Sequence, residues 1–305
     1  MDADSPLKTA IEQGDAPRIS LLLAEDPGLI DRGFYWTDRQ GRQRLITPIR
    51  YANACNRQES IDALVAAGAN LDFLCQALDH SVGSRNRAEF KRLLARRVRP
   101  PPGHLPGLDC AGPERCECIN ALIDAGVAYE DGSYMDIHRG DLATLAQRLQ
   151  EDSALVHRTF VDTSHAIPTS GTLLHIAAAH NDADFVDLLI GNGADIDAIG
   201  PIHGPNYGRG FQVIFDGTGG QIPIYYAIGP AYGCCYEAFD RLLQHGPDLA
   251  VRAQCHVDGA IAEVTPLGYA LARQRWQSEP DGALNREQRE VQREIDRLRA
   301  LGAPE

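Results

Sequence analysis

The sequence lacks any run of about 18 consecutive apolar residues, the shortest length that spans a membrane as a helix. Its first five residues contain two aspartates and no basic residue, whereas an export signal begins with basic residues followed by an apolar run. The eight cysteines are scattered over 305 residues, a distribution typical of reduced thiols rather than of a disulfide framework. We therefore expect a cytoplasmic protein without a membrane segment.

Basic residues are also scarce, with 29 lysines and arginines against 42 aspartates and glutamates and a formal charge of -13. The negative electrostatic field of such a chain repels the phosphate backbone of nucleic acids. We therefore expect no nucleic-acid partner and favour a protein partner with a basic surface. The sequence also lacks the Gly-x-Ser-x-Gly elbow, the phosphate-binding loop, the dinucleotide fingerprint and the His-Glu-x-x-His zinc motif. We expect no cofactor and no metal, and the balance is against an enzyme.

The residues that are present form an internal repeat. The clearest copy opens with TLLHIAA at Thr172, continues with an apolar stretch at helical spacing and closes with GADID. Related openings are TPIRYA at Thr47, IPIYYA at Ile222 and TPLGYA at Thr265. A threonine followed by proline is typical of a helix start, and a glycine in the left-handed region commonly ends a helix. The glycines that follow the second apolar stretches are Gly68, Gly126, Gly193, Gly246 and Gly302.

These blocks resemble the ankyrin repeat, whose signature opens with Thr-Pro-Leu-His-x-Ala and closes with Leu-Leu-x-x-Gly-Ala-Asp. A variant at Gly14-Asp15, echoed at Gly140-Asp141, is similar to a form common in bacterial-type ankyrin proteins. The resemblance implies an all-α repeat solenoid of seven or eight helix pairs with enlarged β-hairpin loops. Because stacked pairs share one apolar core, we expect a single domain over residues 1–305, with possible sub-arcs 1–126 and 127–305.

Four insertions lie where an ankyrin repeat forms a projecting hairpin. We call them finger 1 (residues 32–46), finger 2 (157–171), finger 3 (198–221) and finger 4 (250–264). Their aromatic and β-branched runs favour strands, and exposed aromatic and arginine side chains are typical contact anchors. The aromatic rings could instead pack finger against finger. The candidate binding residues on the fingers and inner helices are Tyr35, Trp36, Arg50, Phe160, Tyr207, Arg209, Phe211, Phe215 and Tyr225.

The lead hypothesis is a protein–protein interaction module that acts as an inhibitor, an immunity protein or an effector. The alternative is an enzyme or a small-molecule binder, with a pocket between the long fingers. Histidines and carboxylates on adjacent fingers could then act as general acids and bases. The catalytic candidates of this alternative are Asp162, His165, His203, Asp216, His256 and Asp258.

Some conspicuous residues have a structural interpretation. The resemblance implies that His175, in the TLLHIAA opening, bonds locally and ties neighbouring turns together. Cys110, Cys116 and Cys118 with His104 suggest a zinc site, but their spacing is not a usual one. We therefore expect these thiols to pack as small apolar side chains.

Two charged stretches remain. Residues 85–99 contain six arginines and one lysine, and we expect a solvated helix face there, with an acidic binding partner as the alternative. Residues 285–301 mix positive and negative charges, which suits the exposed face of a terminal repeat that keeps a solenoid soluble.

Overall fold

The computed structural model describes residues 5–37, 43–70, 75, 78, 81–82, 86–96, 98–100, 113–162, 169–200, 219–228, 236–257, 260–276 and 286–305. The chain divides into two compact units, unit 1 (Met1–Pro101) and unit 2 (Pro102–Glu305). Within the described residues, each unit is an all-α stack of helices to which short hairpins are attached, as the repeat pattern predicts. A single domain over residues 1–305, with sub-arcs 1–126 and 127–305, stays a prediction.

Unit 1 begins with two stacked helix pairs. Its described elements are α1 (Pro6–Gln13), α2 (Ala16–Glu25), a 3-10 helix (Pro27–Ile30), β1 (Phe34–Thr37), β2 (Gln43–Ile46), α3 (Pro48–Ala54), α4 (Gln58–Ala66) and α5 (Arg87–Ala95). The first helices α1 and α3 pack on each other, and the second helices α2 and α4 do the same. One apolar core runs through both pairs, from Leu7 to Ala69.

Unit 2 continues the same arrangement. Its described elements are α6 (Pro113–Asp124), α7 (Ser133–Arg139), α8 (Leu142–Glu151), a 3-10 helix (Ser153–His157), β3 (Thr159–Asp162), β4 (Thr169–Thr172), α9 (Leu173–Ala179), α10 (Ala183–Gly191), α11 (Pro223–Ala227), α12 (Glu237–His245), β5 (Ala253–Val257), β6 (Ala260–Val264), α13 (Pro266–Trp276) and α14 (Arg286–Ala300). The first helices α7, α9, α11 and α13 form one layer, and α8, α10 and α12 form a second. A single apolar cluster joins them, from Ile137 to Leu298.

The Gly-Asp motif marks the same corner in both units. Gly14 ends α1 with φ +74° and Gly140 ends α7 with φ +71°, a region that glycine adopts without strain. The next residue caps the following helix, because Asp15 Oδ1 accepts the Arg18 N–H and Asp141 Oδ1 accepts the Thr144 N–H, both at 3.0 Å. The predicted left-handed glycines are likewise confirmed by their positive φ angles, at Gly68, Gly126, Gly193, Gly246 and Gly302.

Antiparallel hairpins project from fingers 1, 2 and 4, as predicted. Strand β1 pairs with β2, β3 with β4, and β5 with β6. In the described part of finger 3, one isolated antiparallel bridge joins Gly200 to Gln221. The bacterial-type character of these fingers stays a prediction.

Ion pairs link the second helices of unit 2 along their exposed side. Asp187 on α10 contacts Arg241 on α12 at 3.0 Å, and Asp240 on α12 contacts Arg293 on α14 at 2.7 Å. The Arg293 guanidinium also lies 4.0 Å from the ring centroid of Tyr236. The charges of the terminal helix therefore stabilise the stack as well as facing solvent.

Candidate functional site

Finger 1 has one buried and one exposed face. In the register of its hairpin, Phe34 lies opposite Ile46 and Tyr35 lies opposite Leu45. Phe34 is buried, and its ring meets the Tyr51 ring edge to face with 5.0 Å between centroids. Tyr35 and Leu45 are 53% and 62% exposed. Because successive strand residues point to opposite faces, Phe34 anchors the hairpin while the Tyr35–Leu45 pair faces solvent.

The helices below finger 1 carry a small polar cluster. The Tyr51 hydroxyl on α3 donates to the Glu12 carboxylate on α1, and Lys8 Nζ lies 5.5 Å from the centroid of the Tyr51 ring. Burial, and then the bond to Glu12, raise the pKa of Tyr51. Burial also raises the pKa of the neighbouring Cys55 thiol. Neither group is therefore activated as a nucleophile, and the cluster ties the two helices together.

The other predicted binding residues occupy different environments. Trp36 is half-buried against the core of unit 1, Arg50 on α3 is exposed, and Phe160 is half-buried against the core of unit 2. Tyr225 is only 1% exposed, so its side chain supports the fold from inside instead of lying on the surface. Four further candidates lie outside the described residues: Tyr207, Arg209, Phe211 and Phe215.

His175 joins the bases of fingers 2 and 3. Its Nδ1 accepts the Thr172 N–H at 3.1 Å, and its Nε2 lies 3.2 Å from the Gln221 carbonyl oxygen. Since Nδ1 accepts a hydrogen bond, the proton of the neutral ring is on Nε2, which donates to Gln221. Burial lowers the pKa of His175 to about 4, against the opposing effect of the hydrogen bond to the Gln221 carbonyl. The prediction of a structural histidine that ties neighbouring turns is confirmed.

Two glycines leave room for this imidazole. A Cβ on Gly200 would lie 2.6 Å from His175 Nε2 and 2.9 Å from the Tyr226 hydroxyl oxygen. A Cβ on Gly171 would lie 2.8 Å from His175 Cβ, and Gly171 has φ +141°. Because the backbone at positions 171 and 200 passes so close to the His175 side chain, both positions require glycine.

Buried polar groups also hold finger 4 in place. The Gln221 side-chain amide donates to the Gln254 carbonyl at 3.0 Å. The Tyr225 hydroxyl lies 2.7 Å from the Val251 carbonyl oxygen and 2.8 Å from that of Val264, at the two ends of the hairpin. The hairpin is therefore bonded at its base to the preceding repeat.

The residues proposed for the enzymatic alternative are only partly described. Asp162 ends β3, opposite Thr169, and His256 lies within β5, opposite Ile261. The other four, His165, His203, Asp216 and Asp258, lie outside the described residues. Among the described residues, no group of three or more His, Cys, Asp or Glu side chains is placed to hold a metal ion. The catalytic set stays a prediction.

The buried contact between Arg115 and Asp182 was not anticipated from the sequence. Arg115, near the start of α6, is fully buried, and its Nη2 donates to Asp182 Oδ2 at 2.5 Å and to the Ile137 carbonyl at 3.3 Å. Burial raises the pKa of Asp182 to about 6, although Arg115 opposes this shift. The contact spans 67 residues, so local periodicity offers no signal for it.

The two described thiols of the zinc hypothesis behave as predicted. Cys118 is buried, and Cys116 is half-buried with its Sγ 3.0 Å from the position that a Cβ on Gly140 would occupy. Burial raises the pKa of the Cys116 thiol, which disfavours the thiolate that zinc requires. Cys110 and His104 lie outside the described residues.

The arginine-rich stretch differs from the expected solvated face. Arg96 on α5 is buried, and it donates from Nε to Gln58 at 2.5 Å and from Nη1 to Asn53 at 2.7 Å. Arg92, one turn earlier, donates to Asn56 and pairs with Glu89. These side chains reach the preceding helix pair because its polar corner supplies amide oxygens for the guanidinium groups.

Charge is divided unevenly between the units. Residues 1–101 contain 15 lysines and arginines against 13 aspartates and glutamates, whereas residues 102–305 contain 14 against 29. The formal charges are therefore +2 for unit 1 and −15 for unit 2. None of the described helices combines the length and apolar character needed to cross a bilayer.

Comparison with known proteins identifies one repeat directly. Residues 171–201 match the family model described as ankyrin repeat. No curated protein matches the chain.

Similar solved structures include three ankyrin repeat domains. The domain of human ASB11 is 15% identical over 95% of this chain and 98% of that one, with a TM-score of 0.30. The Bcl-3 domain, described as a unique member of the IkappaB family, is 18% identical over 96% and 100%, with a TM-score of 0.31. A domain from Acinetobacter baumannii is 17% identical over 98% of each chain, with a TM-score of 0.35.

Proposed function

The chain contains an ankyrin repeat, and on that premise we propose that it is a protein–protein interaction module that binds through its fingers and first helices. Ankyrin repeats generally serve this role. The observation that carries the proposal is the exposure of large apolar side chains on the projecting hairpins. Tyr35 and Leu45 are exposed on finger 1, and Ile261 is 44% exposed on finger 4.

Projecting hairpins suit this role because their bases are fixed. Phe34 on finger 1 packs against the Tyr51 ring on α3. The Tyr225 hydroxyl bonds the base of finger 4. A partner that covers the exposed side chains gains the free energy of apolar burial. Large exposed side chains beside such a bonded base are typical of energetically important contacts.

The charge of unit 2 supports a basic partner for that unit. A formal charge of −15 over residues 102–305 accelerates the approach of a positively charged protein and disfavours acidic ones. We propose inhibition, immunity or an effector action as the role of such a complex. We place it in the cytoplasm, where thiols such as Cys55 and Cys255, both free in this structure, remain reduced.

Site-specific photo-crosslinking in cells of the source organism tests the proposal. A photoreactive phenylalanine derivative replaces Tyr35 or Ile261 on the fingers, or Leu21 on α2 as the control, since Leu21 is similarly exposed at 49%. We expect a discrete crosslinked protein from the finger positions and none from Leu21. Equal labelling at all three positions, or labelling from Leu21 alone, contradicts binding through the fingers.

A further inference from the structure

Finger 4 ends in a strand with one open edge. Strand β6 pairs with β5 on one side, and among the described residues its backbone bonds to no other strand. The opposite edge of the hairpin is already used, because the Gln254 N–H on β5 donates to the Gly219 carbonyl of finger 3 at 2.7 Å. The hairpin thus has one edge bonded to its own chain and one edge, the side of β6 away from β5, which we call the free edge.

The register of the hairpin shows which backbone groups lie on the free edge. Facing residues of an antiparallel pair alternate between hydrogen-bonded and non-hydrogen-bonded pairs. Since the Gln254 N–H bonds to finger 3, Gln254 and the facing Glu263 form a non-hydrogen-bonded pair. Two residues along, His256 and Ile261 form the next pair of the same kind. The N–H and C=O groups of Ile261 and Glu263 therefore point away from β5.

A surface contact agrees with this direction. The exposed Arg252 guanidinium donates to the Glu263 carbonyl at 2.8 Å, so this carbonyl is accessible from outside the β5–β6 ladder. The contact engages one acceptor of the free edge. Among the described residues, no other hydrogen bond engages the outward N–H groups of Ile261 and Glu263 or the Ile261 carbonyl.

Strand β6 has few of the features that usually protect a sheet edge. Its sequence, AIAEV, contains one charged residue and neither proline nor lysine, whereas natural edge strands commonly carry such residues. Ile261 is 44% exposed, and Glu263 on the same face is also exposed. An accessible strand of this kind is a template for an extended peptide.

We infer that β6 binds an extended segment of a partner protein as an additional strand, with an apolar residue beside Ile261 and a lysine or arginine beside Glu263. This inference rests on the proposed interaction function and specifies how one finger binds. The backbone groups of the free edge supply the main-chain hydrogen bonds, and the two side chains select residues of the segment. A basic segment is favoured because unit 2 has a formal charge of −15, in which Arg252 is already counted.

A second copy of the chain fits the free edge less well. Each copy has a formal charge of -13, so two approaching copies repel each other. Pairing of two β6 strands would also bring two Glu263 carboxylates to one sheet, while AIAEV supplies no cation to offset them. The basic segment is therefore the occupant that the charges favour.

Peptide selection on the full-length chain tests the inference. A display library of random short peptides is selected on the immobilised protein. Binders are retested on Ile261→Ala, which removes the side chain, and on Ile261→Pro, which also removes the outward N–H. Proline is tolerated on an edge strand where its nitrogen faces outward. The matched control is Leu21→Ala, which removes an exposed leucine from α2.

We expect binders with an apolar residue and a lysine or arginine two positions apart, since alternate residues of a strand share a face. Their affinity should fall in Ile261→Ala and stay unchanged in Leu21→Ala. It should fall about tenfold further in Ile261→Pro, because a backbone hydrogen bond is lost.

Backbone methylation of the peptide tests strand pairing without changing the protein. Because a paired strand directs alternate N–H groups to its neighbour, N-methylation should weaken binding at every second peptide position and leave the positions between them unaffected. This measurement does not depend on the folding of any variant.

Amide hydrogen exchange measured by NMR examines the free edge directly. In the free protein the amides of Ile261 and Glu263 should exchange rapidly. Those of Ala262 and Val264, which face β5, should be protected. A selected peptide should slow exchange at Ile261 and Glu263.

Four results overturn the inference. The amides of Ile261 and Glu263 are protected in the free monomer, or they are protected in a dimer detected by sedimentation, which makes a second copy the occupant. N-methylation weakens binding at all positions or at none, or no selected peptide depends on Ile261.

The inference and the wider proposal fail in different ways. Equal losses of affinity in Ile261→Ala and Ile261→Pro indicate a side-chain contact and overturn strand addition alone. The wider proposal fails when no finger position crosslinks to a partner.

Discussion

Arg115 and Asp182 form an ion pair between the start of α6 and the residue that precedes α10, with the guanidinium group fully buried. The two residues lie 67 positions apart in the sequence. Arg115 also donates to the end of α7 through the Ile137 carbonyl. The Arg115 side chain therefore links α6, α7 and the residue before α10.

Arg115→Met is expected to destabilise the protein in a pH-dependent way. Burial already raises the pKa of Asp182 to about 6, and Arg115 is the main opposing influence. Without Arg115 this pKa rises further, so the folded state holds the proton more tightly than the unfolded state and stability falls as pH rises. At pH 8 we expect a loss of roughly 3–5 kcal/mol, and a smaller loss at pH 5, measured by urea unfolding.

Arg241→Met is the matched control for this variant. Arg241 pairs with Asp187 at 3.0 Å, but both side chains are substantially exposed. We expect Arg241→Met to lower the free energy of unfolding by less than about 1 kcal/mol. Equal costs for the two arginines, or a cost at Arg115 that does not change with pH, contradict the prediction.

His175 should make stability fall as the solution is acidified. Its pKa is lowered from 6.5 to about 4 by burial, so between these values the unfolded chain binds a proton that the folded chain does not. The contribution is therefore fully present above about pH 6.5 and is lost towards pH 4, with a total of about 3 kcal/mol. The difference in unfolding free energy between the protein and His175→Gln should shrink as pH falls over this range. An NMR titration in which the imidazole signal assigned to His175 changes near pH 6.5 contradicts the neutral buried ring.

Gly200→Ala is expected to destabilise unit 2 by about 1–3 kcal/mol. The new methyl group would lie 2.6 Å from His175 Nε2 and 2.9 Å from the Tyr226 hydroxyl oxygen, which forces the imidazole away from Gln221. The control is Gly191→Ala, at the end of α10, where no atom lies within 4 Å of the new methyl group. That change should be neutral or stabilising by up to about 1 kcal/mol, because alanine favours a helix. Thermal unfolding that ranks the two variants in the opposite order contradicts this account of Gly200.

Local features of the fold follow from short sequence patterns. Pro48 and Pro266 each occupy the first position of a helix, as predicted. Thr265 Oγ1 accepts the Gly268 N–H at 3.0 Å, whereas the equivalent Thr47 makes no such bond. Helix starts, left-handed glycines and hairpins depend on residues only a few positions apart, so a single sequence contains the information.

Contacts between repeats cannot be predicted from such short sequence patterns. Asn181, with φ +60°, takes the corner position that glycine occupies in other repeats. Its side chain accepts the Ala238 N–H at 2.9 Å and donates to Glu237 at 2.7 Å. These partners are more than 50 residues away, and only the stacking of the helices brings them together. The burial of Tyr225, an expected surface residue, has the same origin.

Arg96→Lys tests whether the arginine-rich stretch is structural. Arg96 donates from two different nitrogens to Gln58 and Asn53, and a lysine ammonium cannot reproduce this planar geometry. We expect a loss of about 1–3 kcal/mol in urea unfolding, since the buried amide oxygens lose their donors. Arg18→Lys on the exposed side of α2 is the control and should change stability by less than about 0.5 kcal/mol. If both substitutions are equally mild, Arg96 is a solvated surface charge, as the sequence pattern alone predicts.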